Sequence, residues 1–356
     1  MEGDWSPLLP QAFEDRWGYS ITDVLPSLFA PVGDWRKVRH DFAVTILELF
    51  MNNFARPYYE ACEQRGLPAT GHVWEHGWPN MTHNPDIMSF NAWQHWPGID
   101  CLMNQYDEGP NAQFGNYRSN KEIDSIANQF GRVRKLCETY GAAGWDLNFE
   151  DMKRIGDHLY AGGINLMNPH LSFYTIRGAR KRDHPQSFSY HAPYWEAYHI
   201  STDYFGRLSW ALAAGKERNP ILVIEPTTTM WMYNWSRSEA EKLNTLGRAF
   251  QNYITDLGSA HVSFDLGSEP VMAEHARILD GLWVVGRCGY SVVILPPGLE
   301  NLEKTTVDLL DVFVEQGGTV ISRVGVPAYV DGRPNQAMQR VKQKAGERWI
   351  EKDLSP

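Results

Sequence analysis

Residues 133–170 read VRKLCETYGAAGWDLNFEDMKRIGDHLYAGGINLMNPH, and two periodicities alternate along them. Val133–Glu138 and Ile164–His170 are short strand-like runs that end on polar side chains. Between them Phe149, Met152, Ile155 and Leu159 recur at three- and four-residue spacing, which predicts a helix over Phe149–Tyr160 with one apolar face. Gly162-Gly163 ends it, as a left-handed C-terminal cap would. Strand, helix, strand in that order predicts parallel neighbours joined by a crossover.

The unit recurs outward from this stretch. Thr70–Glu75, Ile99–Asn104 and Pro220–Pro226 bring the strand candidates to five, and helices fit Asp41–Arg65, broken near Pro57, and Trp195–Ala214. Polar groups at the C-terminal ends of these strands (Glu75, Asn104, Glu138, His170, Glu225) stand where a β/α barrel builds its active site. A closed barrel needs eight units, and the Trp- and Pro-containing opening reads as a loop. The expected fold is therefore α/β: a (β/α)8-type barrel over residues 1–235 that lacks its first strands. After it come helix Ser238–Leu257, Val262–Asp265, helix Pro270–Ile278, Leu282–Val285, Ser291–Leu295, helix Thr305–Gln316 and Thr319–Ser322. That order predicts a small doubly wound domain over 236–330, followed by a charged tail over 331–356.

Composition narrows the function. The 356 residues fit about two domains, and 43% hydrophobic with 21% charged residues describes a packed protein. Lys and Arg number 33 against 43 Asp and Glu, a net charge of −10 with no basic stripe, so a nucleic-acid partner is not expected. Runs such as Ile221–Ile224 are far short of the roughly 20 residues that span a bilayer, so no membrane partner is expected either. The first 30 residues lack a signal-peptide pattern, and the acidic balance suits cytoplasm or periplasm. Cys62, Cys101, Cys137 and Cys288 are scattered and read as buried thiols rather than a disulfide or zinc framework. H-E-x-x-H, G-x-S-x-G and P-loop patterns are all missing. A hard cation on Asp, Glu and backbone oxygens leaves little spacing signal, so no metal ligands are assigned.

Fourteen Trp, 16 Tyr and 15 Phe, many of them beside polar residues, suggest a surface on which sugar rings stack. Glycoside hydrolysis usually takes two facing carboxyl groups. Glu75 lies in Gly71-His72-Val73-Trp74-Glu75-His76-Gly77-Trp78, where flanking indoles would raise its pKa and suit it to be a general acid; its plain alternative is a pair with His76. Glu138 closes a strand before a Gly- and Trp-containing loop and is the second catalytic candidate, or else a partner of Arg132 or Arg134. Glu225 is read as a sugar-hydroxyl contact, as the second carboxylate, or as a structural strand end. Further candidates for substrate contact are His72, Trp74, Asn104, Trp145, Asn168, His170, Tyr174, Tyr190 and Trp231, with Asp100 and Asn165 as strand-borne polar groups. The segment Tyr174–Tyr194, rich in Arg177, Arg180, Lys181, Arg182, His184, Tyr190 and His191, is long enough to be a functional loop.

The run Glu138–Trp145, then Asp151-Met152-Lys153, Asp157, Gly162–Asn165 and Asn168-Pro169-His170, resembles the barrel of α-L-rhamnosidases of glycoside hydrolase family 106, as do Thr70-Gly71-His72 and Val38–Phe42. Phe264-Asp265, Tyr290, Val292–Pro296 and Phe313–Gly318 are similar to the amidotransferase-like domain that follows the barrel, which in family 42 β-galactosidases helps make trimers. The resemblance implies a glycosidase with Glu75 as general acid and Glu138 as the base of an inverting, Ca2+-assisted reaction; the family 42 likeness implies a retaining one with Glu138 as nucleophile. A homo-oligomer formed through the second domain is also implied. The sequence itself demands no cofactor. The expected activity is removal of a terminal sugar from a glycan, rhamnosidase-like first, with a β-galactosidase-like enzyme and a non-catalytic carbohydrate-binding remnant as alternatives.

Overall fold

The computed structural model describes residues 5–170, 172–182, 184 and 189–351. Its first sheet has four parallel strands hydrogen-bonded in chain order: β1 (Thr70–Gly71), β2 (Trp96–Cys101), β3 (Leu136–Thr139) and β4 (Leu166–Pro169). Helix Tyr117–Phe130 carries the chain from β2 to β3, and helix Phe149–Ala161 from β3 to β4.

Local chemistry accounts for the second crossover. The Asn148 side chain accepts from the amides of Glu150 and Asp151 at 2.9 and 3.0 Å, capping the helix where those two acids also meet its positive end. Met152, Ile155 and Leu159 face inward and share one apolar layer with Ile99, Cys101 and Cys137 of the sheet. The left-handed turn after the helix falls at Gly163, φ +105°, where a Cβ would come within 2.7 Å of Asp124.

Among the described residues, helices cover one face of this sheet. Ile99, Cys101, Cys137 and Thr139 are buried against helices, whereas Glu138 and Leu166 on the other face are half-buried and Asn168 is exposed. Parallel sheets usually bury both faces; in a closed barrel this open face is the interior.

The second sheet is wholly parallel, with β5 (Ile221–Ile224), β6 (Phe264–Gly267), β7 (Val292–Leu295), β8 (Thr319–Ser322) and β9 (Trp349–Glu351) in the spatial order β9-β8-β7-β5-β6. This is a doubly wound arrangement whose order reverses between β5 and β7. The strand expected over Pro220–Pro226 as a fifth barrel strand is thus corrected: it pairs with β6 and β7 and belongs to the second sheet. Its Ile-Leu-Val-Ile run suits any strand buried on both faces, so periodicity could not place it.

Other boundaries differ for identifiable reasons. Within the segment expected as a tail, Ala337–Ala345 is a helix and β9 is an edge strand on β8. The helix expected over Pro270–Ile278 stops at His275, and Ala276–Leu279, Leu282–Val285 and Cys288–Tyr290 form an antiparallel meander. Pro57 does not break its helix: Trp35–Phe50 continues through a π-helical turn, Met51–Ala55, into Arg56–Glu63, and Pro57, which has no N–H to donate, sits directly after that turn. Among the described residues no helix is long and apolar enough to cross a membrane.

Helix Tyr117–Phe130 is the wall the two sheets share. Ser125 Oγ accepts from the Leu266 amide at 2.8 Å, and Gln129 Nε2 donates to the Leu266 carbonyl at 2.9 Å. Arg118, fully buried, pairs with Glu122, donates to the Glu75 carbonyl at 2.8 Å, and lies 4.0 Å from Glu225 at the end of β5. Replacing Arg118 with Met leaves two buried carboxyl groups without their cation. The expected loss is about 3–5 kcal/mol, read as a lowered urea midpoint at pH 7; an unmoved midpoint would contradict this account.

Candidate active site

The register of the first sheet places Asp100 beside Glu138 and Glu138 beside Asn168, one from each of β2, β3 and β4. Registered residues of parallel neighbours point to one face, here the open one. The loops that follow the strands complete the group at their C-terminal edge.

His72, just past β1, stands between two acids. Its Nε2 is 3.0 Å from Glu138 Oε2 and its Nδ1 is 3.4 Å from Glu75 Oε1. Burial alone would lower its pKa, but the hydrogen bond and charge of Glu75, then Asp100 and Glu138, push it up to about 9. At neutral pH it is an imidazolium bridging two carboxyl groups.

Glu75 sits in the 3-10 turn Glu75–Gly77, only 1% exposed, where its Oε1 accepts from the Asp100 amide. Burial would raise its pKa, yet His72 and His76 hold it below the ordinary value. The raised pKa expected from flanking indoles does not arise, because neither indole desolvates it in that way. Trp74, with φ 42°, swings out to 66% exposure over His83, and Trp78 enters the core with Nε1 3.4 Å from the Gly247 carbonyl. The His76 ring lies between the carbonyls of Asp100, 2.9 Å away, and Ala112, 3.2 Å away.

Asp100 behaves in the opposite sense. Burial, countered by His72 but reinforced by the charges of Glu75 and Glu138, pushes its pKa up to about 7. Its Oδ1 has no hydrogen-bond partner among the described residues. Sequence reading marked Asp100 only as a strand-borne polar group; the missed signal is its pairing level with Glu138.

On the far side of the row, His170 Nε2 is 3.7 Å from Glu138 Oε1, and its ring stacks on His184 at 5.7 Å. Gly141 makes this approach possible: a Cβ there would meet Leu102 at 2.5 Å and His170 at 3.0 Å. Trp145, in the same loop, stacks on Phe173 at 5.5 Å and donates to the Lys181 carbonyl at 2.8 Å. Tyr174 is 98% exposed, and Tyr190 packs on His191 at 3.8 Å. The carbonyl of half-buried Asn104 accepts from Arg154 at 2.9 Å. The Glu138 side chain meets His72 and His170, while Arg132 lies near the Tyr59 hydroxyl and Arg134 donates to the Ser209 carbonyl.

The structure gathers His72, Glu75, Asp100, Glu138, Asn168 and His170, sets Trp145 in the loop beside them, leaves Trp74 and Tyr174 projecting into solvent, and puts Glu225 and Trp231 elsewhere. Glu225 is 1% exposed against Arg118 beneath the second sheet, where burial first and Glu122 next raise its pKa. Trp231 lies in the main core and donates to the Pro85 carbonyl at 2.7 Å. Both follow from Ile221–Ile224 belonging to the second sheet.

Among the described residues, one group has the spacing of metal ligands: His40, Glu303 and Asp331, whose donor atoms lie within 4.8 Å of one another. His40 Nε2 is already 2.6 Å from Glu303 Oε1, and these residues belong to helix Trp35–Phe50 and the loops beyond β7 and β8, apart from the Asp100–Glu138–Asn168 row. An imidazole is a poor donor for calcium, which takes oxygen ligands; this trio does not fit the Ca2+ that the resemblance implied.

A family model described as alpha-L-rhamnosidase, glycoside hydrolase family 106, matches residues 2–349. A protein of Formosa agariphila provisionally named a β-glucuronidase is 25% identical over 229 residues, which is 62% of this chain and 18% of that one. The solved rhamnosidase of Novosphingobium sp. PP1Y superimposes with a TM-score of 0.68 at 16% identity, over 97% of this chain and 32% of its own. A β-galactosidase of Rahnella sp. R3 gives 0.60 at 12% identity, over 93% of this chain and 50% of its own. The chain thus spans a fifth to a half of the length of these relatives.

The charges of the row make stability depend on pH in one direction. His72 keeps its proton to about pH 9 in the fold against 6.5 ordinarily, so its pairing energy is complete below 6.5 and lost as pH rises through 9. Asp100, raised from 3.8 to about 7, also favours the fold at lower pH. Melting temperature is therefore expected to fall from pH 6.5 to 9, and His72→Gln to flatten that fall; a His72→Gln profile parallel to the parent's would contradict the assignment.

Proposed function

The chain belongs to the α-L-rhamnosidase family, glycoside hydrolase family 106, and from that premise we propose that it acts in removing a terminal α-L-rhamnosyl residue from a glycan. The observation that supports this reading best is the row Asp100–Glu138–Asn168 with the His72 imidazolium between Glu75 and Glu138.

Cleaving a glycosidic bond through an oxocarbenium-like transition state takes a proton for the leaving oxygen and a carboxylate for the anomeric carbon or its water. Asp100 holds its proton to about pH 7 and faces the open side of the sheet, so we assign it the donor role. Glu138, more exposed than Glu75 and held by His72 and His170, takes the proton of the attacking water in the inverting reaction the family resemblance implies. Glu75 is too deep to touch substrate; it acts as a positioning residue that charges and orients His72. Asn168 and His170 lie where they bind sugar hydroxyls, and Trp145 offers its exposed face to a ring.

A second reading takes the same polar row and its exposed aromatics as a surface that holds a sugar without cleaving it. The experiment is hydrolysis by the purified chain of nitrophenyl α-L-rhamnoside, β-D-galactoside and β-D-glucuronide. Release from the rhamnoside is expected, with Glu138→Gln lowering kcat by about 10²–10⁴. Asp100→Asn should remove a decline in rate that the parent shows above about pH 7. Rhamnose binding by calorimetry without release from any member of the panel would favour the binding reading.

A further inference from the structure

The chain carries 43 acids to 33 bases, yet between Tyr174 and His191 it sets Arg177, Arg180, Lys181 and Arg182 against the single acid Asp183. All four cations are exposed, and among the described residues none makes an ion pair or a side-chain hydrogen bond. Exposed cations elsewhere commonly do: Arg16 with Glu48, Lys153 with Asp157, Lys304 with Asp308, Lys344 with Asp311. Four like charges within six residues repel one another, and an outside anion would relieve that repulsion.

Two contacts fix the loop beside the reacting row. Trp145 donates to the Lys181 carbonyl at 2.8 Å, which ties the 3-10 turn Gly178–Arg182 to the loop after β3. His184 stacks on His170, the residue 3.7 Å from Glu138. The turn that carries the cations therefore stands beside the site that binds sugar in the proposed function, on which this step rests. A neutral rhamnoside gives such a rim nothing to hold, whereas a guanidinium fork matches the two oxygens of a carboxylate or a sulfate.

We infer that the turn bearing Arg177, Arg180, Lys181 and Arg182 is a subsite for an anionic group on the glycan, carried by the sugar next to the one being removed. The substrate class is an acidic polysaccharide, its charge a uronate carboxylate or a sulfate ester.

The test is calorimetric titration of the whole chain with a uronic-acid tetrasaccharide, a sulfated galactan tetrasaccharide, a neutral galactan tetrasaccharide and polyglutamate, at low and moderate salt. At least one acidic glycan should bind tenfold or more tighter than the neutral one. The fourfold variant Arg177→Gln, Arg180→Gln, Lys181→Gln, Arg182→Gln should erase that difference and its salt dependence without weakening the neutral glycan. Which acidic glycan responds identifies the anion. Equal binding of neutral and acidic glycans, no binding of either acidic glycan, polyglutamate binding as tightly as the glycans, or an unchanged fourfold variant would each overturn the inference. Because the four side chains are exposed, a variant melting with the parent keeps the comparison clean. Charge-dependent glycan binding without rhamnoside hydrolysis would defeat the proposed reaction and leave the subsite standing; hydrolysis without charge preference would do the reverse.

Discussion

A single buried guanidinium organises this protein. Arg118 starts the helix that walls both sheets, and from there it meets Glu122, the carbonyl of Glu75 and, more distantly, Glu225. A charge at zero exposure is costly unless it is paired, so Glu122 and the Glu75 carbonyl must stay within its reach. That requirement sets the Glu75 turn against the end of β5, and the Glu75 turn in turn sets His72. The electrostatics of the open row thus trace back to a side chain that touches no solvent.

Much of the first sheet is legible in the sequence because its signals are local. Asn148, the Met152–Ile155–Leu159 stripe and Gly163 each act within a few residues, and the polar strand ends Glu138 and His170 fall where alternating strands and helices put a site. What stays hidden depends on distant contacts. Arg118 with Glu122 at i+4 reads as a solvent-facing helix pair; the Glu75 turn, the Trp78 ring and the end of β5 are what surround it. The apolar run Ile221–Ile224 fits a barrel strand or a doubly wound one equally well, and pairing alone decides.

The site shows the same division. That the polar strand ends come together is readable, whereas the surroundings of each acid are not. Sequence places two Trp beside Glu75, but backbone direction sends one outward and the other into the core, and histidines remain as its company. Asp100 is instead the acid squeezed by burial and by neighbouring negative charge. Asp100 thereby holds its proton further up the pH scale than an ordinary aspartate, a property that suits an acid in acid–base chemistry.

The reversal of strand order between β5 and β7 has a consequence for the second sheet. In open α/β sheets the crevice beyond such a reversal is where ligands settle. Here the chain fills that crevice with its own polar side chains: Thr228 donates to Glu269 at 2.5 Å, Asn301 donates to Thr228 at 3.1 Å, and the Asn301 amide donates to Thr229 at 2.9 Å. A socket that many proteins with this topology keep for a cofactor is here bricked up by hydrogen bonds within the chain.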